Sequence, residues 1–226
     1  MWIRDSYQLG RGVDAAKDQS YVLHMATQPE LAHLLFPLGE LTKPQVRELA
    51  AARGLTVASK RESQDLCFLA DNDYRRFLTD WAPAAVQSGP IIGADGQVLG
   101  QHEGLAFYTI GQRKGLGIGA REPLFVLRLD AARNAVIVGP AAALGQTELT
   151  ASQEAWGVGQ PLAAPIQVQA RIRYKAQAAP ATVVPLSSDR VRVLFELPLR
   201  DITPGQGVVF YEGDACLGGG IIDRAV

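Results

Sequence analysis

The sequence contains few of the residues that build disulfide frameworks and metal sites. Its 226 residues include 2 cysteines and 3 histidines. Two cysteines do not make the disulfide framework of a secreted domain, and no histidine has partners at metal-ligand spacing. No apolar run reaches the length of a membrane span or forms a signal-peptide core. We therefore expect a cytoplasmic protein with no metal and no membrane partner.

An excess of one charge is also lacking. The sequence has 22 lysines and arginines against 23 aspartates and glutamates, a net charge of −1. Bulk charge therefore argues against a nucleic-acid partner, and any RNA must be bound by local clusters. The composition, 47% hydrophobic and 20% charged, is typical of a globular chain that buries a core and forms one or two domains.

Helix signals come first along the chain. Thr42 and Gln45 form a capping box that starts a helix, and Gly54 ends it. A shorter helix, opened by Asp71 or Asn72, follows. The first helix has no evident chemical function, whereas Tyr74-Arg75-Arg76 in the second either touch a polyanion or form a solvated helix face.

Strand signals dominate the rest of the chain. Asp95-Gly96 marks a hairpin tip, and short apolar or alternating segments follow at regular spacing. These segments are Leu124–Leu129, Ala135–Val138, Ile166–Ile172, Ala181–Leu186, Val191–Glu196, Gly207–Tyr211 and Cys216–Ile222. They predict an α+β fold with a small β-rich central domain and a C-terminal antiparallel β-barrel or sandwich.

A polar segment contains one of the two thiols. Cys67 lies in Arg61–Leu69, R-E-S-Q-D-L-C-F-L, directly after Lys60. Nearby cations favour the reactive thiolate, whereas Glu62 and Asp65 oppose it. Cys67 is therefore either a nucleophile on a polar loop or a small apolar residue packed beside its neighbours.

Three cationic segments each have more than one interpretation. Arg113 and Lys114, in the glycine-rich string Thr109–Gly119, either meet phosphate or accompany tight turns. The run Arg173–Lys175 suits phosphate contact and base stacking, or it is a strand end with a packed tyrosine. By its residues alone, Lys17–Ser20 is a helix start with a solvated lysine.

Several segments match motifs of one enzyme family, in the same order along the chain. They are G-V-D with K-D-Q-S-Y at 12–21, F-P-L-G at 36–39, S-Q-D-L-C-F at 63–68, T-I-G-Q-R-K-G-L-G-I-G at 109–119, T-P-G-Q at 203–206 and C-L-G-G-G at 216–220. With these motifs the chain resembles the tRNA-specific 2-thiouridylases, bacterial enzymes that place sulfur on the wobble uridine. The long string at 109–119 is highly specific.

The resemblance implies a role for each motif. Cys67 corresponds to the cysteine that carries persulfide sulfur. Contacts to tRNA are implied for Lys17, Asp18, Gln19, Arg173, Tyr174 and Gln206. Arg113 and Lys114 are further candidates for tRNA contact, from their own charge and the glycines around them.

The implied reaction is sulfur transfer to C2 of the wobble uridine. In the family, ATP adenylates the C2 oxygen, because an amide-like carbon must be activated before sulfur attacks it. The persulfide is loaded by a cysteine desulfurase or a sulfur-relay protein. A second cysteine that releases the sulfur is expected in a preceding domain, whereas Cys216 lies in an apolar strand and is expected to be structural.

The chain also departs from the family pattern. The ATP-binding motif S-G-G-x-D-S does not occur, and Asp65 and Ala70 stand where glycine is usual. We expect the C-terminal portion of a thiouridylase, inactive without a separate nucleotide-binding domain. Residues 1–75 would be the helical remnant of the adenylating domain with the Cys67 loop, 76–143 a small central domain and 144–226 a tRNA-binding barrel. The alternatives are one half of a split enzyme, a non-catalytic tRNA-binding module and a β-domain interaction protein.

Overall fold

The computed structural model describes residues 6–60, 69, 73–157, 159–187, 189–200 and 202–225. The α-helices are α1 (Ser20–Leu23), α2 (Gln28–Leu31), α3 (Lys43–Ala52) and α4 (Tyr74–Trp81). The strands are β1 (Leu9–Gly10), β2 (Gly89–Gly93), β3 (Val98–His102), β4 (Phe125–Asp130), β5 (Ala135–Gly139), β6 (Gln146–Trp156), β7 (Ile166–Arg171), β8 (Ala179–Pro185), β9 (Arg190–Leu199), β10 (Gly207–Glu212) and β11 (Ala215–Ala225). Short 3-10 helices lie at Thr56–Ser59, Pro83–Ala85, Leu105–Phe107 and Ala141–Leu144.

The chain divides into two compact units. The first unit combines Met1–Lys60, Gln146–Pro198 and Ile202–Val226. The second unit combines Arg61–Gly145 with Leu199–Asp201.

The first unit contains a six-stranded closed antiparallel barrel. Its strand order is β11-β10-β7-β8-β9-β6, and β6 closes the barrel by pairing with β11. Alternating residues point inward, as in β9, where Val191, Val193 and Phe195 are buried between exposed neighbours. Strand β1 adds to β11, with Leu9 opposite Cys216. The N-terminal segment is thereby attached to the barrel.

The helices of the first unit follow their sequence signals. Thr42 caps α3 through a capping box with Gln45, and the chain leaves the helix at Gly54, whose φ is +68°. The same kind of box, formed by Thr27 and Glu30, starts α2. No residue of α3 is buried among the described residues, so this helix has its polar caps but little apolar packing in this chain.

The second unit is built on a four-stranded sheet of order β3-β2-β5-β4. Strands β2 and β5 are parallel, whereas both outer pairs are antiparallel. Ile91, Val126, Val136 and Val138 are fully buried and form the centre of its core. The glycine-rich string lies between the 3-10 helix Leu105–Phe107 and β4.

The structure confirms the α+β class and the C-terminal barrel. Strand β6 lies at the start of the stretch where short strands are expected, but it is not among the segments named from the sequence. Helix α4 is capped by Asp73, whose side chain accepts from the Arg76 N–H, and the predicted caps Asp71 and Asn72 lie outside the described residues. The division into domains at 1–75, 76–143 and 144–226 stays a prediction.

Two features are absent from the described residues. No helix there has the length and apolar character needed to cross a membrane. Nor do three or more histidine, cysteine, aspartate or glutamate side chains gather there in a group suited to a metal ion.

Candidate nucleic-acid interface

Two of the sequence-predicted RNA contacts touch each other in the first unit. The Gln19 amide Nε2 donates to the Tyr174 hydroxyl at 2.8 Å and also approaches the Lys17 carbonyl at 3.3 Å. Lys17 and Gln19 are exposed, and Tyr174 is half-buried in the turn after β7. Side chains 155 residues apart therefore form one polar surface beside the start of α1.

Beneath this surface, a buried ion pair joins the start of α1 to strand β7. The Asp18 carboxylate lies 3.5 Å from the Arg171 guanidinium, and both groups are largely shielded from solvent. Asp18 also accepts from the Gly12 and Ser20 N–H groups at 3.2 and 3.0 Å and from the Ser20 hydroxyl at 2.8 Å. Because these bonds occupy both carboxylate oxygens, Asp18 holds the segment before α1 in place.

Arg171 also fixes the aromatic part of the surface. Its guanidinium lies 5.7 Å from the Tyr21 ring centroid and 5.8 Å from that of Tyr174. It donates to the Tyr174 carbonyl as well. The two rings meet edge to face, with centroids 6.2 Å apart. One arginine thus sets the position of the tyrosine that faces Gln19.

The remaining predicted contacts of this unit lie on an adjoining turn. Arg173 donates to the Thr203 hydroxyl at 2.5 Å. Gln206 is exposed and closes the turn by donating its N–H to the Thr203 carbonyl at 3.2 Å. The next residue, Gly207, accepts from the Tyr21 hydroxyl at 2.9 Å. Lys17, Gln19, Arg173, Tyr174 and Gln206 therefore belong to one connected surface, which we call the tyrosine surface.

Besides the ion pair, two phenol hydroxyls and one thiol are buried behind the tyrosine surface, and burial favours their protonated forms. Burial raises the pKa of Tyr21 above its ordinary value, against the opposing effect of Arg171. Burial likewise raises the pKa of Tyr211, whose hydroxyl lies 3.1 Å from that of Ser20. It raises the pKa of Cys216 to about 11. Cys216 is therefore a protonated, packed thiol, as its strand context predicted.

A cavity of about 600 Å³ opens beside the same segment. Lys17 and Gln19 contribute to its lining, together with apolar side chains that include Phe36 and Leu38. Leu35 in this lining is 91% exposed. The F-P-L-G motif thus lies next to the K-D-Q motif, which the sequence did not predict.

The other predicted site residues lie elsewhere. Arg113 and Lys114 belong to the second unit, where both are exposed. Cys67 lies outside the described residues. Tyr21 and Thr203 stand in the matched motifs but were not predicted as site residues, and Arg171 was not predicted at all. Only the folded chain brings these three side chains to the predicted contacts.

Three family models match consecutive parts of the chain. They are the tRNA methyl transferase HUP domain at residues 2–71, the tRNA methyl transferase PRC-barrel domain at 75–140 and the aminomethyltransferase beta-barrel domain at 146–222. Proteins named tRNA-specific 2-thiouridylase MnmA match across all three parts. The chain is 52% identical to that of Roseiflexus castenholzii over 221 residues, or 98% of this chain and 60% of the relative. The chain belongs to the tRNA-specific 2-thiouridylase family.

Two further 2-thiouridylases show the same extent of similarity. The protein of Symbiobacterium thermophilum is 52% identical over 218 residues, covering 96% of this chain and 56% of the relative. That of Moorella thermoacetica is 51% identical over 217 residues, covering 96% and 61%. The chain therefore spans about 60% of the length of the curated 2-thiouridylases it matches.

Proposed function

We propose that this chain provides the tRNA-binding surface and the persulfide cysteine of a tRNA-uridine 2-sulfurtransferase. The observation that carries the proposal is the bond between Gln19 and Tyr174, which joins two of the segments where the family resemblance expects tRNA. Membership of the 2-thiouridylase family supports the choice of tRNA over other polyanions.

The tyrosine surface offers three kinds of contact to RNA. The Tyr174 ring is partly exposed and can stack against a base, while the Gln19 amide can bond to a base edge or a sugar. Lys17 provides a charge for phosphate. Arg173 and Gln206 lie on the same surface and extend it along the Thr203–Gln206 turn.

Asp18 has a different role in this proposal. Its side chain is 4% exposed and is bonded to backbone N–H groups, Ser20 and Arg171. A second negative group such as a phosphate would be repelled there. We therefore propose that Asp18 positions Lys17 and Gln19 instead of contacting tRNA.

The sulfur chemistry is assigned to Cys67. A cysteine desulfurase or sulfur-relay protein would load Cys67 as a persulfide. A second thiol, expected from outside this chain, would then attack Cys67 Sγ, so that a disulfide forms and the terminal sulfur leaves. That sulfur bonds to C2 of the wobble uridine, and the C2 oxygen departs with AMP. Cys216 is unsuited to be the second thiol, because it is buried and its pKa is about 11.

Among the described residues, the glycines of β11 do not fit the phosphates of ATP. The sequence lacks S-G-G-x-D-S, and Gly218 and Gly219 are packed in β11, where a Cβ would lie within 2.3 Å of the Ala155 or Val208 carbonyl oxygen. Those glycines cannot surround a phosphate. We assign ATP to no residue here and propose that a separate nucleotide-binding domain supplies the activation.

Thiolation of tRNA tests the proposal. The chain would be incubated with tRNA, ATP, a cysteine desulfurase and labelled cysteine, with and without the nucleotide-binding domain of a relative. We expect 2-thiouridine only when that domain is present. A chain that binds tRNA but never supports thiolation would instead be a non-catalytic tRNA-binding module, and a chain that binds no tRNA would contradict the proposal.

A further inference from the structure

The cations of the second unit fall into two groups. Outside residues 109–124, which we call the glycine-rich loop, each described arginine contacts an acid or a ring. These contacts are Arg75 with Glu103 at 2.8 Å, Arg76 with Asp80 at 3.0 Å, Arg128 and Arg133 with Asp130 at 3.0 and 3.9 Å, and Arg200 with the Phe125 ring at 5.3 Å. Arg113, Lys114 and Arg121 are exposed, and none of their side chains forms a hydrogen bond or ion pair with another described residue.

The glycine-rich loop is nevertheless anchored. Gly111 donates to the Val126 carbonyl at 2.8 Å, and the Val126 N–H donates to the Gln112 carbonyl at 2.9 Å. The Gln112 side chain accepts from the Thr109 N–H and donates to the Lys114 carbonyl. Leu116 is 6% exposed and packs in the core of the unit. The backbone is thus held from inside, while the cations point to solvent.

The loop encloses a hollow that contains two of these cations. A cavity of about 380 Å³ is lined by Arg113, Arg121 and the backbone between them. Gly117 has a φ of +67°, and a Cβ on Gly117 or Gly119 would meet no atom within 4 Å. A ligand can therefore approach the main chain closely at these glycines. Glu122 is the one acid in the lining, so the positive charges exceed the negative.

We propose that the glycine-rich loop is a second site for the RNA backbone, in which Arg113, Lys114 and Arg121 bind phosphates. Arginine, lysine and backbone N–H groups are the usual protein partners of phosphate oxygens. The lining has no aromatic side chain on which a base could stack, so the site binds phosphate without regard to base identity. Only the choice of RNA as the polyanion depends on the proposed function.

The salt dependence of tRNA binding tests this site. Each neutralised phosphate contributes about 0.7–0.9 to the slope of log affinity against log salt concentration. The variant Arg113→Gln/Lys114→Gln/Arg121→Gln should therefore make this negative slope less steep, by about two to three units. The control Arg76→Gln/Arg128→Gln/Arg133→Gln removes the same charge from paired, exposed arginines of the same unit. We expect it to keep the wild-type slope, and equal slopes in the two variants would overturn the proposal.

A second measurement separates this site from the tyrosine surface. Glycine-labelled protein would be titrated with inorganic pyrophosphate and followed by amide NMR. The signals of Gly115, Gly117 and Gly119 should shift in wild type and not in the triple variant. If wild type binds no tRNA yet shows these shifts, the proposed function fails while the phosphate site stands. Shifts with a polyglutamate peptide but not with pyrophosphate or RNA would overturn the proposal in favour of an acidic protein partner.

Discussion

The tyrosine surface and the glycine-rich loop both display cationic segments, but their charges are used differently. In the first, Arg171 pairs with buried Asp18 and Arg173 bonds to Thr203. In the second, Arg113, Lys114 and Arg121 have no such partner among the described residues. The arginines of the first surface bond to other groups of the protein, whereas the cations of the second are available to bind a ligand.

Because of this difference, we expect the two surfaces to contribute different kinds of interaction to RNA binding. An arginine already paired with a carboxylate neutralises little additional phosphate, so it contributes weakly to salt dependence. Apart from the charge of Lys17, the tyrosine surface should therefore contribute mainly stacking and hydrogen bonds, and the glycine-rich loop should contribute most of the salt-dependent attraction. Each of the following variants tests one side of that comparison.

The largest effect is expected from Arg171→Met. Removing the guanidinium leaves the Asp18 carboxylate buried without its cation, which costs about 3–5 kcal/mol in comparable buried pairs. Chemical denaturation would measure the loss in free energy of unfolding. Arg192→Met is the matched control, because Arg192 pairs with Glu148 at 3.1 Å on the exposed side of the same unit. That variant should lose no more than about 1 kcal/mol. Similar losses in both variants would show that the buried Asp18 pair stabilises the fold no more than an exposed pair does.

Titration of Cys216 should give the next largest effect. Its pKa is raised from 9.0 to about 11 by burial, so the unfolded chain ionises first as pH rises. The stabilising effect of the protonated thiol is complete below pH 9 and is lost by about pH 11, an effect of about 3 kcal/mol. Unfolding of wild type and Cys216→Ala at several pH values would measure it. Identical pH dependence in the two proteins would contradict a buried thiol.

Stacking on the tyrosine surface should have an intermediate effect. Tyr174→Ala should weaken tRNA binding by about 1–3 kcal/mol with an unchanged salt slope, since it removes a ring and no charge. Tyr174→Phe keeps the ring and loses only the bond to Gln19, so its loss should be smaller, about 1 kcal/mol. Gel-shift titrations at several salt concentrations separate the two quantities. A flatter salt slope in Tyr174→Ala would contradict the proposal that this ring contributes stacking without changing the number of neutralised phosphates.

The smallest effect concerns the backbone of the glycine-rich loop. Gly117→Ala forces a side chain into the left-handed region and should cost about 1 kcal/mol of folding stability. Gly119→Ala is the control, because that site is equally open but has no positive φ. Its stability should match wild type in thermal unfolding. Equal stability of both variants would show that a side chain at the positive φ of Gly117 costs no folding stability.

The sequence predicted those parts of the fold whose signals are local. The Thr42–Gln45 box, the Asp95-Gly96 hairpin and the alternating barrel strands were all recognisable, because capping and pleating act over a few residues. Strand β6 was not among the named segments, since Q-T-E-L-T-A-S-Q-E-A-W has few apolar residues and no regular alternation. Its pairing with both β9 and β11 specifies it as a strand.

The candidate site was predictable only as separate pieces. K-D-Q and Arg173-Tyr174 were named from the family resemblance, but nothing in either segment indicates that Gln19 and Tyr174 touch. Asp18 resembled a helix cap or an RNA contact, and its pairing with Arg171 depends on the barrel bringing β7 to the start of α1. Such long-range pairs follow from topology, which short motifs do not contain.

Transfer of labelled sulfur tests the central claim most directly. Wild type, Cys67→Ser and Cys216→Ser would each be incubated with a cysteine desulfurase and labelled cysteine, and the protein-bound label removable by reductant would be counted. We expect label on wild type and on Cys216→Ser and none on Cys67→Ser, because the Cys216 thiol is buried and protonated. Equal labelling of Cys67→Ser and wild type would contradict the assignment of the persulfide to Cys67.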